Sequence, residues 1–165
     1  MHRRKLFCLV TCVSLCISLL SGCSQASKEV TQALSDYLNH IIAGEYKQAY
    51  ALISDFDKGN ISEELFVKWQ GQVAKIAKAS SFTIDGKVDV FQNYKYLGTE
   101  FGTVYGLKVD RKQEQLIAQI ELAGYDAGSF RIMVVQQKDG CRVLLLLTNL
   151  DETVATYDAY LQKYQ

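Results

Sequence analysis

Apolar positions in the first part of the chain recur at helical spacing. Val30, Ala33, Leu34, Tyr37, Leu38, Ile41 and Ile42 share one stripe, which predicts a helix over 28–43. Gly44 suits the left-handed position that closes it. Tyr46, Ala49, Tyr50 and Ile53 predict a second, shorter helix from Glu45 to Ser54, joined to the first as a hairpin. Asp55 to Asn60 reads as a polar loop. Ser62 then fits an N-cap, with Glu63 and Glu64 in the first turn and Ile61 and Phe66 spaced as a hydrophobic staple. The third helix runs to about Lys78 and buries Leu65, Phe66, Trp69, Val73 and Ile76.

The period then changes to two. Phe82, Ile84, Val88, Val90, Tyr94 and Tyr96 share one parity, and Thr83, Asp85, Lys87, Asp89, Asn93 and Lys95 the other, as in a strand with one wet face. A bulge or three-residue link at Asp85-Gly86 preserves that parity better than a two-residue turn. Gly102 and Gly106 flank Val104 on one strand face, a pattern of curvature or close backbone approach. The rest reads as a four-strand meander. A loop at Arg111–Glu114 pairs Val109 with Leu116, one at Tyr125–Ala127 pairs Leu122 with Phe130, and Lys138-Asp139-Gly140 pairs Val134 with Leu144. This register puts Phe101, Tyr105, Leu107, Val109, Leu116, Ala118, Ile120, Leu122, Phe130, Ile132, Val134, Leu144 and Leu146 on the core face. Val104, Ile117, Met133, Val135, Cys141, Val143, Leu145 and Leu147 fall on the reverse. A last helix, Asp151–Lys163, carries the stripe Val154, Tyr157, Leu161 and Tyr164; either this helix or a partner in its place is expected to cover that reverse face.

The N-terminus has a different grammar. His2-Arg3-Arg4-Lys5 precedes an apolar run from Leu6 to Leu20, 15 residues long. A spanning helix needs about 20, so the run reads as a secretory signal. Leu20-Ser21-Gly22-Cys23 resembles the lipobox of bacterial lipoproteins. That resemblance implies a signal peptide over 1–22, a diacylglyceryl group on Cys23 as the mature first residue, a lipidated tether over 23–27 and one domain over 28–165. It places the protein on the extracytoplasmic face of a cell membrane, held through the lipid on Cys23.

Composition narrows the function. Loss of Arg3, Arg4 and Lys5 leaves 15 of the 18 basic residues against 18 acidic ones, a net charge of −3. Such a balance offers no field for phosphates and argues against a nucleic-acid partner. Of the five cysteines, Cys8, Cys12 and Cys16 leave with the signal and Cys23 takes lipid. Cys141 is left alone, so no intrachain disulfide supports the fold and a packed thiol is expected there.

Candidate chemistry is sparse. His40, the one histidine of the mature part, lies on the flank of the first stripe with no cysteine or histidine near it in sequence. A nucleophilic triad or a zinc site needs more than that. Asp55–Ser62 lacks the carboxylates of a calcium loop at the required positions. No glycine-rich phosphate loop occurs. Asp89, Asp110 and Glu121 lie on or beside strands, on the solvated parity. No cofactor and no metal are expected.

Tyr37 to Ile53, including Ala43-Gly44-Glu45-Tyr46, together with Ile61 to Phe66, is similar to the small NTF2-like (cystatin-like) domains of Gram-positive cell-surface proteins. These include the N-terminal domain of some penicillin-binding proteins and many uncharacterised lipoproteins. The likeness covers about residues 27–80 by pattern and the sheet by topology. It implies an α+β fold in which three N-terminal helices pack on a curved antiparallel sheet as a cone, followed here by a C-terminal helix. It also implies a non-catalytic binding or accessory module, with a cell-envelope protein as its partner. Two other readings stand beside it. One is a small-ligand carrier whose cone is lined by such residues as Tyr37, Trp69 and Tyr105. The other is an enzyme using carboxylates and tyrosines in the same cone.

Overall fold

A computed structural model describes residues 25–117 and 129–164. Helix α1 occupies residues 25–43, so 25–27, expected in the tether, are already helical. Val30, Leu34, Tyr37 and Leu38 form its buried stripe. Gly44, at φ +74°, ends it. The Glu45 N–H donates to His40 O and the Gly44 N–H to Ile41 O, which satisfies two carbonyls of its last turn. Helix α2 spans Tyr46–Ala51.

The expected loop at Asp55–Asn60 is instead a helical turn, α3. Ser54 caps it: its Oγ accepts the Asp57 N–H at 3.1 Å and donates to Asp57 Oδ2 at 2.6 Å. The polarity read as a loop signal is a capping signal. Helix α4, Glu63–Ile76, starts as predicted, with Ser62 Oγ accepting the Leu65 N–H. Phe66, Trp69, Val73 and Ile76 are buried along it, and so are Gln70 and Gln72.

Four antiparallel strands follow in sheet order β1-β2-β3-β4: β1 Ala77–Tyr96, β2 Thr99–Gln115, β3 Ser129–Gln137 and β4 Gly140–Leu144. β1 carries the expected bulge, since the register shifts between Ile84↔Val109 and Val88↔Leu107. Its parity does not persist. Phe91, paired with Val104, packs inward on the far side of the sheet while Val90 is exposed. A further shift between Phe91 and Tyr94 keeps Tyr94 on that far side too.

The expected loop at Arg111–Glu114 is absent. β2 continues straight through it, with Phe82 opposite Arg111 and Lys78 opposite Glu114. Val109 pairs with Phe130, not Leu116, so β2 and β3 are direct neighbours with no strand between them. Leu116 is exposed. Ala118, Ile120, Glu121, Leu122 and the Tyr125–Ala127 turn lie outside the described residues. The last hairpin closes one residue tighter than expected: Val134 pairs with Val143, across a turn at Lys138-Asp139. Because side chains alternate, that slip exchanges the faces of β4. Val143 joins the main core, with Cys141, Leu145 and Leu147 packed against it, whereas Leu144 and Leu146 belong to the far side.

The main core lies between the helices and one sheet face. Leu107, Val109, Ile132, Val134 and Val143 meet residues of α1, α2 and α4 there. A second, smaller cluster on the far face holds Val104, Val135 and Leu144 under Phe56, Phe91, Tyr94, Phe101, Met133 and Leu146. The final helix α5, Leu150–Tyr164, does not cover this far face. Its Leu150, Val154, Tyr157 and Leu161 enter the main core, and it packs along α4. Gln72 Nε2 donates to Val154 O at 3.0 Å and to Asp158 Oδ1 at 2.6 Å, while Lys68 Nζ meets Asp158 Oδ2 at 2.6 Å. The far face finds its cover in Phe56 of α3, whose ring stacks edge-on to Phe101 at 5.2 Å and to Tyr96 at 6.2 Å.

Among the described residues no helix is long and apolar enough to cross a membrane.

Candidate functional site

Among the described residues, two cavities lie between the helix layer and the sheet. The larger holds about 260 Å³ and sits where α1 and α4 both end. Ile41 to Gly44 form one wall. Tyr46 of α2 and Gln70, Val73 and Ala74 of α4 form another. Ala77 to Ala79, Phe82 and Arg111 close the sheet side. Two helix C-termini bring partly negative carbonyls to this place. Arg111 answers one of them: its Nη2 donates to the carbonyl of Ala77, the residue that caps α4, at 2.9 Å. Only 7% of Arg111 is exposed, so its cation is held inside the fold at the cavity wall. Burial also pushes the Tyr46 phenol above its usual range, which keeps it protonated.

The smaller cavity, about 180 Å³, is more apolar. Tyr37, Leu38 and Ile41 of α1, Trp69 of α4, Phe82 and Phe130 face the chain that leaves β4, Leu144 to Leu147. Both volumes lie below the roughly 300–1,000 Å³ of sites for drug-sized ligands. A small molecule or a single inserted side chain matches them.

Of the three residues expected to line a pocket, the structure brings Tyr37 and Trp69 together at the smaller cavity. Tyr105 lines neither. It sits further along β2, half-buried between Val90 and Val134. Arg111 and Gln70 were missed. Both carried a legible signal: Gln70 lies on the buried stripe of α4 between Phe66 and Val73, and Arg111 keeps the inward parity of Leu107 and Val109. The sequence pattern put Arg111 in a loop, and the α4 stripe was drawn from apolar residues alone, which left out Gln70.

Of the carboxylates considered for acid–base chemistry, Asp89 and Asp110 line neither cavity, and Glu121 lies outside the described residues. Asp89 Oδ2 meets Arg131 Nη2 at 2.8 Å at the surface, and Asp110 accepts a hydrogen bond from the Ser129 hydroxyl. Asp57 is fully buried, yet lines neither cavity. Burial pushes its carboxyl above the usual range, against hydrogen bonds from the Ser54 side chain and the backbone of Leu145, Leu147 and Leu146 that lower it. His40 stays on the flank of α1, with Nδ1 at 2.7 Å from Glu45 Oε2. Among the described residues no group of three or more histidine, cysteine or acidic side chains is placed to hold a metal ion. Cys141 is a free thiol, half-buried, that donates to Gln136 Oε1.

No protein-family model matches the chain, and no curated protein matches it in sequence.

Proposed function

We propose that this chain is a lipid-anchored extracytoplasmic module that binds rather than transforms its target. Its helices and sheet form an NTF2-like cone, and the cone takes a small ligand or one side chain of a cell-envelope partner. The observation that carries the binding reading is the 260 Å³ opening at the joint ends of α1 and α4, walled by aliphatic groups and holding the buried Arg111. An opening of that kind, apolar with a few fixed polar groups, is the usual form of a ligand site. The non-catalytic part rests on where the carboxylates are: Asp89 and Asp110 take part in surface contacts, and Asp57 is engaged by three backbone groups and a hydroxyl. Anchoring rests on Leu20-Ser21-Gly22-Cys23 behind a basic start and an apolar run.

Two measurements test the reading. In cells, Cys23→Ser should abolish incorporation of labelled fatty acid and release the protein from membranes. Continued labelling would overturn the anchor. For binding, a fragment-sized library is screened by thermal shift against the domain and against Ala74→Leu, which fills the larger cavity. Fragments that stabilise the first and not the second support the site. A library without one such fragment removes the cavity as a ligand site.

A further inference from the structure

We infer that the two cavities are halves of one site, which takes a hydrocarbon chain headed by a carboxylate, with the head at Arg111 and the chain toward Trp69. The inference deepens the binding reading above and rests on it. The two spaces meet, because Ile41 and Phe82 line both. Both side chains are half-buried and pack on the main core. The Phe82 ring stands edge-on to Phe130, 6.5 Å away, and Phe130 belongs to the smaller cavity. Each volume by itself falls short of the roughly 300 Å³ at which small-molecule sites begin, and the two together exceed it.

The halves differ in chemistry. Two cations, Arg111 and Lys78, line the larger cavity, and no carboxylate does. Lys78 is exposed at the rim, whereas Arg111 is buried in the wall. The bond from Arg111 Nη2 to the Ala77 carbonyl, at 2.9 Å, fixes the plane of the guanidinium. That carbonyl is neutral, so the positive charge stands. The helix ends nearby bring about half a negative charge each, less than two full cations. A carboxylate matches a planar guanidinium in both charge and shape. Tyr46 and Gln70 add a hydroxyl and an amide to the same lining.

The smaller cavity offers no such head site. Trp69, Phe130 and Leu144 to Leu147 make it apolar, and its one charged lining residue, Arg131, is engaged by Asp89 at 2.8 Å. Methylenes gain by leaving water there, while a charged head would lose its hydration without gaining a partner. An amphipathic anion therefore fits in one direction.

Trp69 is the chain's single tryptophan, so its emission reports the smaller cavity. The full chain, in phosphatidylcholine vesicles, is titrated with octanoate that carries a quenching bromine either on its terminal carbon or beside the carboxylate. The terminal bromine should quench Trp69 saturably. The other acid should compete with it yet quench far less. Terminally brominated octanol, which has the chain without the charge, should need a concentration at least about tenfold higher, and so should the acid with Arg111→Met. The octanol comparison uses the unaltered chain and does not depend on how that variant folds. Equal quenching by acid and alcohol overturns the carboxylate head; its loss in Ala74→Leu would leave the binding reading intact. Stronger quenching by the bromine beside the carboxylate overturns the direction. Absence of saturable quenching by every probe overturns the joined site, whereas the binding reading stands or falls with the fragment screen.

Discussion

The carboxylate of Asp57 accepts the backbone N–H of Leu147 through Oδ1 at 2.9 Å, across 90 positions of sequence. Its other oxygen accepts the Leu145 N–H, also at 2.9 Å. One side chain of α3 thus holds the chain where it leaves β4, with Leu146 between the two at φ +58°. The clamp ends the strand, turns Leu146 toward the far-face cluster and starts the path to α5. Asp57→Ala leaves these two N–H groups without their acceptor. At about 1–3 kcal/mol for each donor left without a partner, the expected loss is about 2–6 kcal/mol. Urea unfolding of the domain measures it.

Asp57 also gives a pH signature. Burial raises its carboxyl more than its hydrogen bonds lower it, so the folded chain takes up the proton more readily than the unfolded chain. Stability from this linkage is fully present below the ordinary carboxylate range and is lost as the pH rises through the raised value. The gap between wild type and Asp57→Asn, which cannot titrate there, should therefore narrow as the pH rises through that window. Denaturation of both proteins over a pH series reads the gap. A gap that widens would mean that the hydrogen bonds outweigh burial.

The β1–β2 turn carries a leucine where leucine is costly. Leu97 and Gly98 have φ +47° and +80° between the paired residues Tyr96 and Thr99. Two positive φ angles in a two-residue hairpin favour Asn-Gly. Leu97 is 72% exposed, so little packing is lost with it. Leu97→Asn should stabilise the domain by about 0.5–1 kcal/mol, since an L side chain in the left-handed region costs roughly 1–2 kcal/mol. The melting temperature should rise.

Two glycines should respond in opposite directions to alanine. A Cβ on Gly106 would lie 2.9 Å from Arg131 Cδ and 2.9 Å from Phe91 Cε2, both side-chain atoms, whereas nothing lies within 4 Å of one on Gly102. Gly106→Ala should cost about 1–3 kcal/mol as overpacking. The cost should shrink in an Arg131→Ala background, a double-mutant cycle that isolates the contact. Gly71, inside α4, has nothing within 4 Å of such a Cβ. There, alanine should add about 0.5–1 kcal/mol. Chemical denaturation of the four variants settles both signs.

Cys141 should be a slow thiol. Burial first, then Glu29, raises its pKa, and Arg142 pulls the other way. Reaction of the native domain with a bulky thiol reagent at neutral pH should be far slower than in denaturant, because the thiolate is the reacting form. Glu29→Gln should speed it. An unchanged rate would show that the Glu29 charge does not act on the thiol.

Leu161 and Tyr164 both lie on the predicted stripe of α5, yet only Leu161 is buried. Leu161→Ala should cost about 2–4 kcal/mol, within the range for emptying a buried leucine site. Tyr164→Ala should cost far less. Equal costs would contradict the packing of α5 on α4.

The sequence by itself determined whatever depends on neighbours along the chain. The stripe of α1, the Gly44 terminus, the Ser62 cap and the bulge after Ile84 all stand where spacing put them, because a helical period, a left-handed glycine and a capping hydroxyl act over one or two turns. Fold class followed from the change of period near Ala77. What only the tertiary structure decided is which surfaces meet. The stripe of α5 showed that the helix had to bury a face. That it buries it on α4 depends on Gln72 and Lys68 meeting Val154 and Asp158 across more than 80 positions. The face of Leu144 turned on a single-residue choice of hairpin turn, since alternation converts one step of register into a change of side. Arg111 was expected in a loop, where β2 in fact runs on. Its place inside follows from the carbonyl that α4 leaves at Ala77, a partner 34 positions away that no local pattern could supply.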